Sequence, residues 1–314
     1  IPFLGKTEKE RRVIVNTVGP LWDGNQVWLL TAGGATFAAF PGWYATLFSG
    51  LYLPLFLILV GLIIRGVAFE YRAKNPEAAW RNTFDWMACI GSFLVTLVFG
   101  VGFANFIIGM PVANDAASPM LHVYTGGFWA LFSPFALLGG VCLVALFLFH
   151  GANFLALKTK GVVHDKATAF AKKVGIVSIV LGAAFLLWQN LAYPSFAPVL
   201  GWVALLAAAA GLVVSWLMVG KRDGVAFTGT TVAILFVAIG IFLRMFPNLG
   251  FDNAAATTPL DITTASSTPL TLAIMTGAAV VFVPIVLAYQ AWNIWTFRKR
   301  IGTVNMPDDV AVAA

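Results

Sequence analysis

The sequence predicts an all-α, polytopic integral membrane protein, and three observations carry that expectation. Of the 314 residues, 60% are hydrophobic and only 10% charged, against roughly 25% charged in soluble domains, and the mean hydropathy is +0.88. The apolar residues come in runs of about 20, the length a helix needs to cross a hydrocarbon core. The basic residues are sorted by loop: of the 19 Lys and Arg, all but Arg244 fall on one side of the alternating runs. This positive-inside pattern sets residues 1–20 and the C-terminus on the cytoplasmic face.

Eight spans are expected within one membrane domain, 1–314: 22–40, 43–66, 84–109, 123–149, 170–191, 198–219, 225–246 and 269–296. The first is short and opens on the polar "WDGNQVW". The second contains Pro54 and runs into Arg65, Arg72 and Lys74; the third starts at Asp85, after Arg81. The fourth contains Pro134 and ends near Lys158, and the fifth follows Lys166, Lys172 and Lys173. Pro198 opens the sixth, Lys221 and Arg222 precede the seventh, and Pro247 follows it. Pro269 opens the long eighth, which holds Pro284 and leads to "FRKR". Internal prolines are tolerated in a membrane helix where neighbours satisfy the freed carbonyl. The opposite loops, "MPVANDAASPMLH", "YPSFAP" and "PNLGFDNAAATTPLDITTASS", carry no Lys or Arg.

Composition also excludes several functions. The net charge of +6 is accounted for by the loops, so no basic stripe remains for nucleic acid. Cys89 and Cys142 sit inside apolar runs, where free cysteine packs as a small hydrophobe, and no disulfide is expected. There is no CxxC, Walker loop or dinucleotide fingerprint. His122, His150 and His164 lie in or beside loops on different faces, so no metal site and no pair of axial haem ligands is expected in this chain. Trp residues at span ends, such as Trp22, Trp43, Trp80, Trp129, Trp292 and Trp295, read as interfacial anchors.

Ionisable groups within a span cost about 3 kcal/mol to insert and are candidate functional residues for that reason. Asp23 begins the first span, Arg65 and Glu70 end the second, and Asp85 begins the third. An end-of-span charge can also snorkel or pair across loops, and that alternative stands for Arg65, Glu70 and Asp85. Asp23 has distinctive company: on a helix it shares a face with Gln26, and Asn25 and Gln26 bring donors and acceptors that can hold water. A carboxylate so placed suits proton entry; equally, an Asp at a helix start can cap free backbone N–H groups.

The string "GPLWDGNQVWLLTAGGATFAAFPGWYATLFSGLYLPL" closely resembles subunit II of the cytochrome bd quinol oxidases, especially actinobacterial versions. The likeness continues through "LIIRGVAFEYR", "WRNTFDWMACIGSF" and "ASSTPLTLAIMTGAAVVFVPIVLAYQAWNIW", covering essentially the whole chain. It implies nine spans in the intact subunit, with a preceding helix that carries a "GFDFGVG"-like segment. It further implies a heterodimer with subunit I, which holds low-spin haem b, high-spin haem b and haem d and oxidises quinol. A small accessory subunit, membrane lipids and a structural quinone are further expected associates. The complex reduces oxygen to water with cytoplasmic protons and builds proton-motive force without pumping.

By motif position, the family's proton-path carboxylate falls on Asp23, with Asn25 and Gln26 beside it. Arg65 matches an arginine suited to the subunit interface or a haem propionate, with Glu70 and Asp85 as further interface or proton-path support. The residue before Trp22 is Leu21, where some relatives have histidine. Two other roles remain open from sequence: a purely structural assembly partner, and an independent transporter. The latter lacks the paired Gly/Pro-broken helices that mark a midplane substrate site.

Overall fold

The computed structural model describes residues 1–116, 121–193 and 195–307. Among them are ten α-helices: α1 (Glu8–Val18), α2 (Trp22–Ala39), α3 (Pro41–Gly50), α4 (Tyr52–Tyr71), α5 (Ala78–Ile108), α6 (Pro134–Lys158), α7 (Val162–Ala192), α8 (Pro198–Met218), α9 (Asp223–Met245) and α10 (Pro269–Thr296). Seven are long and apolar enough to cross a membrane: α4, with its short 3-10 extension through Lys74, and each of α5 to α10. The chain is a multi-pass membrane protein.

The first expected span forms a helix, α2, but Asp23, Asn25 and Gln26 make it less apolar than those seven. The second is divided. Pro41 opens α3, which stops at Gly50, and α4 starts afresh at Tyr52. Pro134, expected inside the fourth span, instead occupies the first turn of α6 behind the N-cap Ser133, whose hydroxyl accepts from the Ala136 amide at 3.2 Å. Proline suits that turn because its missing N–H would have no intrahelical partner.

The core lies among α5 to α9. Phe135 of α6 stacks on Phe185 of α7 at 5.0 Å, with Ala104, Ala208 and Met245 buried beside them. Lipid is as apolar as leucine, so these helices gain most from close backbone contact, which small residues permit. A Cβ on Gly91 of α5 would stand 2.6 Å from the Gly61 carbonyl of α4, and one on Gly211 of α8 would stand 2.7 Å from the Gly229 carbonyl of α9.

One end of the bundle carries a small cap that hydropathy does not reveal. Strand β1 (Met110–Asn114) pairs antiparallel with β2 (His122–Tyr124) and parallel with β3 (Phe251–Asp252). Met110, Val112, Phe251 and Leu260 bury its inner face. The other end carries the basic loops and α1, an amphipathic helix started by a capping box between Thr7 and Glu10. Val13 and Ile14 of α1 pack on Leu155 and Val163, where α6 meets α7. Neither α2 nor α10 has a single buried residue. They touch where Gln290 of α10 faces Gly24 of α2, and Asn293 donates to the carbonyl of Pro20, just ahead of α2, at 3.2 Å.

Candidate functional site

The basic end gathers most of the ionisable groups expected to matter, but sorts them into two kinds. Asp85 lies in the second turn of α5 and is fully buried, at 0% exposure. Arg72, just past α4, donates to it from Nε at 2.6 Å and from Nη2 at 3.1 Å; Arg11 of α1 donates from Nη1 at 3.0 Å. Arg72 also forks onto Glu8 of α1 at 2.9 and 3.0 Å. Arg81 and Arg12 reach the same Glu8 oxygen at 3.3 and 3.5 Å. One guanidinium thus joins two carboxylates, and α1 is bolted to the turn between α4 and α5.

A second tie holds α1 to α7. Lys166 donates to Glu10 at 2.7 Å, and the Lys6 amide donates to the same oxygen at 2.6 Å. Burial by itself raises the Glu10 pKa, but the hydrogen bonds from Lys166 and from the Lys6 and Thr7 amides outweigh it, leaving the carboxyl below its ordinary value. On the same end, Asp223 accepts from Arg300 at 2.8 Å and lies 3.2 Å from His164 Nε2.

Asp23 is of the other kind. It lies in the first turn of α2, exposed, and makes no hydrogen bond or ion pair within the described residues. It is not the cap: Leu21 holds that position, without a side-chain bond to the helix. Asn25 is likewise exposed, whereas Gln26 tucks inward and its Oε1 is buried without a hydrogen-bond partner. Trp22 anchors this turn against Phe69 of α4, with ring centres 5.5 Å apart. Gly66 lies below the same indole, so α2 begins beside the stretch of α4 that carries Arg65.

The remaining expected residues separate. Arg65 is half-buried, and its Nε is buried with no hydrogen-bond partner. Glu70 is exposed. Asp85 pairs with Arg72 and Arg11 rather than with Arg65. Sequence reading missed Glu8, Arg11, Arg72 and Arg81 as a unit. The available signal was the dense "KTEKERR" run, with Thr7 and Glu10 spaced as a capping box ahead of an apolar face.

Deeper in the bundle, His150 Nδ1 lies 2.7 Å from Thr230 Oγ1, and the ring stacks on Phe227 at 4.6 Å. Asn153 donates to Ser215 at 3.0 Å, and Ser215 to the Ala226 carbonyl at 2.6 Å. These bonds knit α6, α8 and α9. His122 Nε2 lies 2.7 Å from the Thr258 carbonyl, in the cap. Among the described residues, no three His, Cys, Asp or Glu converge as a metal site.

A bundle with seven membrane-length helices and an exposed acid, Asp23, without an ion pair among the described residues can be compared with known proteins. The family model for cytochrome bd terminal oxidase subunit II matches residues 1–297. The chain is 35% identical to the cytochrome bd-I ubiquinol oxidase subunit 2 of Escherichia coli strain K12, over 95% of this chain and 87% of that one. It is 36% identical to the cytochrome bd ubiquinol oxidase subunit 2 of Bacillus subtilis strain 168, over 95% and 88%. A probable cytochrome oxidase subunit 2 of Haemophilus influenzae is also 36% identical, over 97% and 88%. Motif, fold and relatives agree, and the chain belongs to the cytochrome bd terminal oxidase subunit II family, whose members are subunits of an oxidoreductase complex.

Proposed function

We propose that this chain is the haem-free subunit II of a quinol:oxygen oxidoreductase in a bacterial cell membrane. In this reading the basic end, with residues 1–20 and the C-terminus, is cytoplasmic. The whole chain acts as one membrane unit beside subunit I, which carries the low-spin b, high-spin b and d haems and oxidises quinol. Asp23, Asn25 and Gln26 admit protons for the reduction of oxygen to water, with Arg65 at the subunit interface.

The observation that carries the proton role is the contrast between acids. Glu8, Glu10 and Asp85 are each held by at least one cation and so are committed to fixed ion pairs. Asp23 has no such partner within the described residues, while Gln26 beside it turns an unpartnered oxygen inward. That pair can bind water and exchange a proton with it.

The three histidines stand on separate elements, His122 on β2, His150 on α6 and His164 on α7, and each bonds its own protein group rather than facing another as the second of two axial ligands. That supports haem on the partner. The polar first turn of α2, in a helix with no buried residue, supports coverage by another protein surface rather than by lipid.

The test is Asp23→Asn in the assembled oxidase. Losing the titratable group should lower oxygen consumption about a hundredfold, the lower end of what general acid–base groups contribute, while haem spectra stay normal. Full turnover with normal haem would refute the relay and leave the chain as an assembly partner, a role the Glu8–Arg72–Asp85 bolt favours.

A further inference from the structure

Arg244 is the one Lys or Arg that breaks the sorting by loop, and its surroundings do not neutralise it. α9 starts at the basic end, where Asp223 meets Arg300, so Arg244, one residue from its other terminus, stands at the end that carries the β cap. Its Nε donates to the Tyr193 carbonyl at 2.9 Å, Nη1 to the Gly240 carbonyl at 2.8 Å and Nη2 to Asn190 Oδ1 at 2.8 Å. Gly240 is one turn back along α9, so the guanidinium is turned toward the membrane interior rather than snorkelling out to water. All three acceptors are neutral, and no carboxylate pairs with Arg244 among the described residues. The stretches outside those residues add no acid at this end. Pro194 and residues 117–120 contain none, and Asp308 and Asp309 lie within two residues of Pro307, whose carbonyl accepts from Arg12 at the basic end.

Neutral groups in this corner also lack partners. Ser195 Oγ and Gln189 Oε1 are buried without a hydrogen bond, in residues 8% and 1% exposed, whereas buried polar groups are ordinarily satisfied. Both side chains border the guanidinium. A Cβ on Gly201 would stand 3.3 Å from Ser195 Oγ, 3.1 Å from Asn190 Oδ1 and 3.5 Å from Arg244 Nη2. One on Gly240 would stand 3.2 Å from Gln189 Nε2 and 3.9 Å from Arg244 Nη1. A guanidinium has five N–H donors; with three engaged, two stand beside the Ser195 hydroxyl for an incoming oxyanion.

We infer that this corner, where α7, α8 and α9 meet, holds the phosphate of an anionic membrane lipid. Trp188 of α7 and Trp202 of α8 lie exposed on neighbouring turns, and tryptophan marks the headgroup level of a bilayer. Phe196, next to Ser195, and Phe246, two residues past Arg244, pack ring on ring at 4.5 Å and stay exposed, which gives acyl chains a surface. A phosphodiester brings the single negative charge that the lone cation lacks, and guanidinium suits it because its N–H groups donate in pairs. Free phosphate would gain nothing from the aromatic flank. A protein partner finds its surface on α2 and α10, which have no buried residue and contribute no side chain to this corner. The inference is independent of the role given to Asp23, which lies at the other end.

The test uses the whole oxidase complex, purified in detergent and stripped of lipid. Dioleoyl phosphatidylglycerol, dioleoyl phosphatidylcholine and inorganic phosphate are the probes, and native mass spectrometry reads adducts on the intact complex. Phosphatidylglycerol should bind at one saturable site, more tightly than phosphatidylcholine, whose quaternary ammonium cancels the charge match. R244Q should weaken that binding about tenfold, the scale of one lost charge-assisted contact, and R244K should recover part of the loss. S195A, which removes a donor and no charge, should weaken it about fivefold. Haem content shows which variants are assembled; where R244Q is not, R244K and S195A carry the comparison.

Four outcomes overturn the proposal. Equal phosphatidylglycerol binding in wild type, R244K and S195A would place the lipid elsewhere. Phosphatidylcholine binding as tightly as phosphatidylglycerol would make the contact merely apolar. Inorganic phosphate binding as tightly as the lipid, with the same loss in R244Q, would make the corner a site for the free anion. No saturable phosphatidylglycerol binding by wild type, with R244Q lowering the yield of haem-loaded complex, would assign Arg244 to a carboxylate of a neighbouring subunit.

Discussion

Replacing Arg72 by glutamine tests the bolt directly. Wild-type Arg72 gives four short contacts to two acids, and its side chain is 5% exposed against 0% for Asp85. With glutamine, Asp85 keeps only Arg11 at 3.0 Å, and the buried carboxylate loses its principal counter-charge. Breaking a buried pair by removing one partner costs about 3–5 kcal/mol. Most of that should appear as easier detachment of α1, because Glu8 and Arg11 both belong to that helix. At 1.36 kcal/mol per decade, amides of α1 should exchange hydrogen about 10²- to 10⁴-fold faster. Amides of α8, outside the cluster, should be unchanged. The assay is hydrogen exchange on the assembled complex. A control, Asp85→Asn, removes the buried charge together with the need for its partner, so it should cost less than Arg72→Gln. Equal exchange in α1 for wild type and Arg72→Gln, or a larger effect for Asp85→Asn, would refute the assignment of Arg72 as the bolt.

Gly91→Val sets its Cβ 2.6 Å from the Gly61 carbonyl, with further bulk beyond it. The α4–α5 crossing must then open at a cost of about 1–3 kcal/mol, read as a lower yield of haem-loaded complex, and an unchanged yield and melting temperature would contradict it. Glu10 gives a pH effect. Its folded pKa is lowered, so its contribution to docking α1 on α7 is complete above the ordinary glutamate pKa and fades as pH falls through the folded value. Protection of α1 amides should therefore weaken below about pH 4.3, and Glu10→Gln should be less protected at neutral pH and flatter across that range. An equally steep acid loss in Glu10→Gln would assign the effect to another group.

Much of the fold was legible because lipid immersion leaves a long-wavelength signal. Twenty apolar residues between charged loops mean a crossing helix, and α8, α9 and α10 begin and end within two residues of the expected spans, whereas α6 starts at Pro134 rather than at 123, where the chain is still in β2. What hydropathy misses is helix that continues past lipid. α7 starts at Val162 and runs through Asp165, Lys166, Lys172 and Lys173, all polar and all helical. α1 was missed because its buried stripe, Val13 and Ile14 with Thr17 beyond them, is too narrow to register as an apolar run. The β cap was missed for a different reason. β1 and β3 pair residues about 140 apart in sequence, and strands of two to five residues carry almost no periodicity of their own.

The candidate site divides along the same line. Asp23 and Asp85 look alike in sequence: each is an acid opening an apolar run, with tryptophan adjacent. What separates them is tertiary. Arg11, which donates to Asp85, lies 74 residues away, and Arg72 lies 13 residues away across a turn; neither distance leaves a local pattern. Asp23 has no corresponding contact within the described residues. A buried carboxylate with two guanidinium partners ties a junction together, whereas an exposed one without such partners is left open to water. The family motif singles out Asp23 by position, and the proton role proposed for it rests on this contrast in partners, which only the tertiary structure displays.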